Sequence, residues 1–404
     1  MPSLRILMYC NTTRGMGRTA RIIDIAASLS QTLETCSILV LTDLATIGRF
    51  KLAERVDYVH LPSLTNSTVN SARQGLKLER SNTLRIRQKI ATSTLKTFRP
   101  DLVWLDDTLL NIPEEMNKIL ACLQTELPQA KRAWAFSDTL GAPDFVQRQW
   151  ERAGAVEVFT NFAESIFILG VRPFFDVAKA YRLPESLSRK LIYTGYLSGH
   201  EKVPKRMHEK LAQMGRRLPM VLFTTEGGTD DFAMLDTYLR FLESNHMEVR
   251  SVIIAGHSLT SAEKRNLARR AQALPHVSFK RFSKHLRHYV RHADAVICTG
   301  EYNVASEILA HRKAALFIPN AGEQPDNYHR AQRLHERGLV AMSAPENFQP
   351  DVVKKFLYEH LCNGPRFGSA KSYEGLSFDG FNQISESIQE LIGWSQTFEA
   401  VTAS

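Results

Sequence analysis

Thr299-Gly300-Glu301-Tyr302-Asn303-Val304-Ala305-Ser306-Glu307-Ile308-Leu309-Ala310 joins an apolar run, Ala295–Thr299, to a helical pattern over Val304–Ala310. The glycine marks a tight turn, and the residues after it set one carboxylate, Glu307, among core-type neighbours. A strand that turns at once into a helix is half of a β–α–β unit, and such units in series build a parallel sheet wrapped by helices. A carboxylate at this place can accept both hydroxyls of a ribose in a bidentate contact. The plain alternative is a helix acid facing solvent. The next segment, Pro319-Asn320-Ala321-Gly322-Glu323-Gln324 with Asp326, Asn327, His329 and Arg330, opens a further helix with acid and amide groups that suit sugar hydroxyls.

The same alternation runs along the whole chain. In the first half the strand candidates are Leu4–Cys10, Cys36–Thr42, Val56–Leu61, Asp101–Leu105, Ala133–Phe136, Ala155–Thr160 and Leu191–Thr194. Ile22, Ala26, Leu29 and Leu33 fall on one helical face between the first two. After a polar, Lys-rich stretch near residue 198 a second series follows: Pro219–Thr225, Ser251–Ala255, Val277–Phe279, Ala295–Thr299, Ala314–Pro319 and Leu339–Ser343. Strands without strict alternation are expected where both sheet faces are buried. A chain of 404 residues exceeds what one core supports. The expected organisation is α/β, with two doubly wound Rossmann-like domains at 1–197 and 198–380. Residues 381–404 form a last helix and tail, for which a return to the first domain is one placement open.

Composition narrows the function classes. Hydrophobic residues make up 44% and charged residues 23%, ordinary globular values. No stretch approaches the ~20 apolar residues that span a bilayer. The start runs from Met1 directly into a strand pattern with no leader architecture. The five cysteines, Cys10, Cys36, Cys122, Cys298 and Cys362, show no metal-ligand spacing, so a reducing cytoplasm is the expected location. The net charge of +9 is spread over both halves. One cluster, Arg73, Lys77, Arg80, Arg85, Arg87, Lys89 and Lys96, reads either as a solvated helix face or as contact with an anionic acceptor or the inner face of a membrane. Interleaved aromatics are lacking, so nucleic acid is not an expected partner.

Two further turns carry glycine. Asn11-Thr12-Thr13-Arg14-Gly15-Met16-Gly17-Arg18 follows the first strand; it lacks the third glycine of a dinucleotide fingerprint, which argues against a nicotinamide cofactor. Thr224-Thr225-Glu226-Gly227-Gly228-Thr229-Asp230 lacks the Gly-Lys-Ser/Thr ending of a phosphate-binding loop of NTPases. Its paired glycines can still offer backbone N–H groups to a diphosphate at a helix N-terminus. Asp106, Asp107 and Asp138 follow strands, at the place where strand ends deliver side chains to a crevice. No Asp-x-Asp metal pattern occurs.

With these motifs in order, the chain resembles glycosyltransferase family 28 and its MurG-type relatives, in particular a bacterial branch of that family. Thr299–Leu309 resembles the family's Gly-Gly-Tyr-Asn-Thr…Glu-Ile-Leu stretch. Glu323-Gln324…Arg330-Ala331…Gly338-Leu339 resembles its Glu-Gln…Arg-Ala…Gly-Leu ending, and Pro62-Ser63-Leu64, Arg99-Pro100-Asp101 and Thr194-Gly195-Tyr196 match as well. The resemblance implies a GT-B fold and a hexosyltransferase that moves sugar from a UDP- or dTDP-sugar to a small-molecule, glycan or lipid-linked acceptor. It implies no cofactor and no metal. The donor site would comprise Gly227, Gly228 and Thr229 on the diphosphate, Arg281 and Phe282 by the base, Tyr302, Asn303 and Ser306, Glu307 on the ribose, and Glu323 and Gln324 on the sugar. Thr13, Gly15, Met16 and Gly17 would form the acceptor-side loop. Relatives place histidine where this chain has Arg18, and an arginine cannot act as a general base. The expected catalytic residues are therefore Asp107 for deprotonation, with Arg18 and Asp138. Glu301 also stands where relatives carry glycine. Rival readings are a nucleotide-sugar hydrolase or 2-epimerase of the same fold, or a sugar-nucleotide-binding subunit without activity.

Overall fold

The computed structural model describes residues 3–11, 17–33, 35–64, 76–106, 113–199, 209, 211, 218–225, 227–245, 247–256, 258–283, 285–322, 325–362 and 368–393. The first series runs β1 (Leu4–Cys10), α1 (Gly17–Thr32), β2 (Cys36–Thr42), β3 (Val56–His60), α2 (Arg80–Phe98), β4 (Leu102–Asp106) and α3 (Pro113–Glu126). It continues with β5 (Lys131–Ser137), α4 (Pro143–Ala153), α5 (Ala155–Phe162), β6 (Ser165–Leu169), α6 (Val177–Ala180), α7 (Glu185–Ser188) and β7 (Leu191–Tyr193). The second comprises β8 (Met220–Thr224), α8 (Asp231–Ser244), β9 (Arg250–Ile254), α9 (Ser261–Gln272), β10 (Val277–Lys280), α10 (Leu286–His292), β11 (Ala295–Cys298) and α11 (Tyr302–Ala310). Last come β12 (Ala314–Phe317), α12 (Pro325–Glu336), β13 (Ala341–Met342), α13 (Pro350–Leu357) and α14 (Gly380–Ile392).

Seven strands form one sheet, ordered β3-β2-β1-β4-β5-β6-β7, and six form the other, ordered β10-β9-β8-β11-β12-β13. Among the described residues, every strand pairing within these two sheets is parallel. The strand order reverses between β1 and β4 in the first sheet and between β8 and β11 in the second. Crevices outside the C-terminal strand ends at such reversals are where open α/β sheets bind ligands. Both glycine-bearing turns of the second sheet, after β8 and after β11, flank its reversal. The ends of β1 and β4 flank the other.

One expectation needs correction. Ala155–Thr160 reads as a strand by its β-branched and aromatic content, yet it is helical, and Ser165–Leu169 supplies the strand instead. Gly154, at φ 60°, ends α4 and starts α5. Ala155 and Phe159, four apart, then share the buried face, and Phe159 packs edge-on against Trp134, Phe136 and Trp150. Tertiary packing here outweighs local propensity.

The chain passes between the sheets at two places that touch. Tyr196 N–H donates to Ser377 O at 2.8 Å, Gly380 N–H donates to Tyr196 O, and Leu197 bridges Asp379 in antiparallel fashion. From there α14 packs on α1 and β6. Gly380 is required at this crossing, because a Cβ would lie 2.9 Å from the carbonyl oxygens of Gly195 and Tyr196. No helix among the described residues is long and apolar enough to cross a membrane.

Candidate active site at the interdomain seam

The two reversals meet face to face. Asn303 Nδ2, at the start of α11, donates to Gly17 O at 2.9 Å. Glu301 caps α11 by accepting from Val304 N–H at 3.2 Å, and its carboxylate presses on Gly17, where an added Cβ would lie 2.9 Å from Glu301 Cδ. The absence of a side chain at Gly17 is what lets the two turns touch.

Charges line this seam in pairs. Arg21, one turn into α1, holds Asp106 at 2.8 and 3.1 Å and lies 5.2 Å over the Tyr302 ring. Arg330 of α12 donates to Asp138 Oδ1 at 2.8 Å and to Gly300 O, and lies 5.6 Å from the centre of the same Tyr302 ring. Asp138 also accepts from Tyr196 Oη at 3.2 Å and from Thr139 N–H. Burial pushes the Asp138 carboxyl up against the opposing pull of Arg330. Arg287 pairs with Asp24 of α1 at 2.6 Å and stands 3.8 Å from Glu307. His329 Nδ1 lies 2.7 Å from Thr139 Oγ1, its ring edge-on to Phe175, and burial lowers its pKa to about 4.

The segment read as donor-binding is used largely in this seam. Tyr302 Oη accepts from Leu197 N–H at 3.1 Å, Ser306 Oγ donates to Leu197 O, and Asn303 reaches Gly17. Glu307 is fully buried, with Gly199 N–H, Arg291, Arg287 and His311 around its two oxygens. Burial alone would raise its pKa, but the His311 hydrogen bond and the two guanidinium groups hold it below the usual carboxylate range. A ribose could reach Glu307 only by displacing these partners. Asp138 likewise sits inside an interdomain clamp, with both oxygens engaged.

The β8 turn keeps its expected place. Gly227 has φ 118°, and Gly228 N–H donates to Asp231 Oδ1 at 3.1 Å. Ser258 holds the other Asp231 oxygen at 2.9 Å, and burial raises this carboxyl to about 6. Thr229 is exposed at the N-terminus of α8, and Asn320 Nδ2 reaches Asp230. Arg281 is exposed and Phe282 half-buried after β10. Arg18 is half-buried in the first turn of α1, where its charge acts on Cys10 and Arg21. Asp107, Thr13, Gly15, Met16, Glu323 and Gln324 lie outside the described residues. Arg87, counted with the basic cluster, is buried instead, bonded to Glu115, Asp43, Tyr9 and Pro62 O; Lys77, Arg80, Arg85, Lys89 and Lys96 are exposed.

Arg21, Arg287 and the Thr139–His329 contact stand out only in the structure. The first two fall at helix positions where a solvated cation reads the same way. No group of three metal-ligating side chains occurs among the described residues.

No family profile matches the chain, and no curated protein matches it in sequence. Solved structures do. CalG4, the calicheamicin glycosyltransferase, superposes with a TM-score of 0.63 at 14% identity, covering 98% of this chain and all of that one. MurG of Acinetobacter baumannii gives 0.57 at 12% identity over 96% of this chain and 100% of its own. A protein assigned as a UDP-N-acetylglucosamine 2-epimerase of Listeria monocytogenes gives 0.60 at 11% over 96% and 97%. At these identities the likeness speaks of architecture: this chain has the GT-B fold, two Rossmann-like domains whose strand ends face across one cleft.

Proposed function

We propose that this protein transfers a sugar from a nucleoside-diphosphate sugar, a UDP- or dTDP-hexose, to a hydroxyl acceptor held by the first domain. The observation that carries this reading is the opposition of the two strand-order reversals. Glycine-bearing turns at Gly17, Gly227 and Gly300 all emerge at the C-terminal edges of parallel sheets, and a donor on one domain would face an acceptor on the other. The diphosphate takes the Gly227–Thr229 turn, where the α8 N-terminus favours developing negative charge. Arg281 and Phe282 flank the base, Glu323 and Gln324 the sugar, and Glu307 exchanges its arginine partners for the ribose. Arg18 supplies a fixed positive charge for a phosphate or an anionic acceptor. The chemistry needs no metal in this arrangement.

Calorimetric titration with UDP, dTDP and their glucose conjugates, followed by transfer assays with the tightest donor, tests the proposal. Transfer that persists in excess chelator supports it; loss of turnover in chelator, restored by magnesium, removes the metal-free mechanism. Release of free sugar and nucleotide without transfer identifies the hydrolase or epimerase reading, for which the similarity to a 2-epimerase gives a specific motive. Donor binding without any turnover identifies a binding subunit.

A further inference from the structure

Three of the seam's carboxylates are bound to cations. Asp106 is held by Arg21, Asp138 by Arg330 and Glu307 by Arg287, Arg291 and His311. Both oxygens of each are engaged by these and neighbouring donors, which leaves little room for an acceptor hydroxyl to approach them. Glu301 differs. Among the described residues its hydrogen bonds come from the neutral backbone N–H groups of Val304 and Asn303. The remaining face of the carboxylate lies against Gly17, beside Arg18, where the two domains come together.

We infer that Glu301 is the general base that takes the proton from the acceptor hydroxyl, an inference that rests on the transfer reading above. The acceptor oxygen forms a bond to the anomeric carbon as the bond from that carbon to the diphosphate oxygen breaks. The leaving diphosphate keeps the electron pair, and the hydroxyl proton passes to the Glu301 carboxylate, which later yields it to water. A group on the donor domain that reaches Gly17, the first residue of α1, stands where the two substrates would meet in the transfer reading. Burial raises the Glu301 pKa, which strengthens it as a base, while Arg21 of α1 and Arg330 of α12 pull the other way. Arg18, which carries no removable proton at neutral pH, complements it by holding negative charge nearby.

The test compares wild type, Glu301→Gln and Asp107→Asn in transfer from UDP-glucose or dTDP-glucose to 4-nitrophenol, 4-nitrophenyl glycosides and water, alongside calorimetric binding of UDP. Glutamine keeps the shape and an oxygen for the Val304 N–H, so thermal unfolding should match wild type. The expected result is a fall in kcat of roughly 10²–10⁴-fold with UDP affinity changed by less than about threefold. The acid limb of the pH–rate profile should vanish in Glu301→Gln and remain in Asp107→Asn. Wild-type turnover in Glu301→Gln overturns the inference, as does a fall in kcat matched by an equal fall in UDP affinity. Transfer of the missing acid limb to Asp107→Asn does the same. Failure of the parent reading looks different: wild type itself then binds no nucleotide and moves no sugar, which removes both.

Discussion

Arg330 Nε lies 2.8 Å from Asp138 Oδ1, with the two side chains only 0% and 1% exposed, so that one ion pair ties the second domain to the first without water between. Removing one member of such a pair strands a buried charge. Asp138→Ala should lower unfolding stability by about 3–5 kcal/mol in urea titrations. The double change Asp138→Leu with Arg330→Met should cost much less than the sum of the single changes. Equal, additive losses would show that the two residues act separately.

Glu307 gives a pH signature. Its carboxyl is depressed in the folded state, so its contribution is complete above the unfolded value of about 4.3 and is lost as pH falls through the folded value. Below about pH 4 wild type should therefore lose stability more steeply than Glu307→Gln. At pH 7 that substitution should cost about 1.5–3 kcal/mol, the range for hydrogen bonds to charged groups. Alanine is a poorer probe, because it would leave Arg287, Arg291 and His311 around an empty site. Parallel pH–stability curves for wild type and Glu307→Gln would count against the ion cluster.

Gly17→Ala places a methyl group against Glu301 Oε1 and 2.9 Å from Cδ. The expected result is a loss of about 1–3 kcal/mol, the usual cost of overpacking, with reduced turnover. Adding Glu301→Ala should relieve most of the stability loss, although the cap on α11 is then missing. Double-mutant thermal unfolding measures the coupling directly; no relief would place the clash elsewhere.

Arg18 contributes charge, with no ionisation of its own in the physiological range. Arg18→Lys should retain part of the activity and Arg18→Ala much less, with the shape of the pH–rate profile unchanged in both. Arg18→His should introduce a dependence near pH 6.5, the ordinary histidine value. Full activity in Arg18→Ala would assign the residue to the surface of the first helical turn.

Strand positions were legible wherever apolar runs stood between turn residues, as in Leu4–Cys10 and Cys36–Thr42, which match the structure end to end. Ala155–Phe162 misled because its buried face depends on Trp134 and Trp150, contacts that no local pattern reveals. Arg87 carried a usable signal: Thr83, Arg87, Ala91 and Leu95 recur every four residues, which puts the arginine on the inward stripe of α2. The motif around Gly300 marked the strand-to-helix turn between β11 and α11. Its side chains, however, face Gly17 and Leu197 of the other half and Gly199 just past the boundary, and a spacing within one segment says nothing about partners 100 or more residues away.

The paired crossings at Tyr196–Leu197 and Ser377–Gly380 set an order of assembly. All strands of the first sheet leave the ribosome early, yet the helix that covers α1 and β6 is Gly380–Ile392, near the end of the chain. Although the N-terminal domain of a nascent chain ordinarily folds first, here the first sheet must wait, partly uncovered, until the second has been synthesised, and a chain stopped before residue 376 would leave that apolar face without its lid.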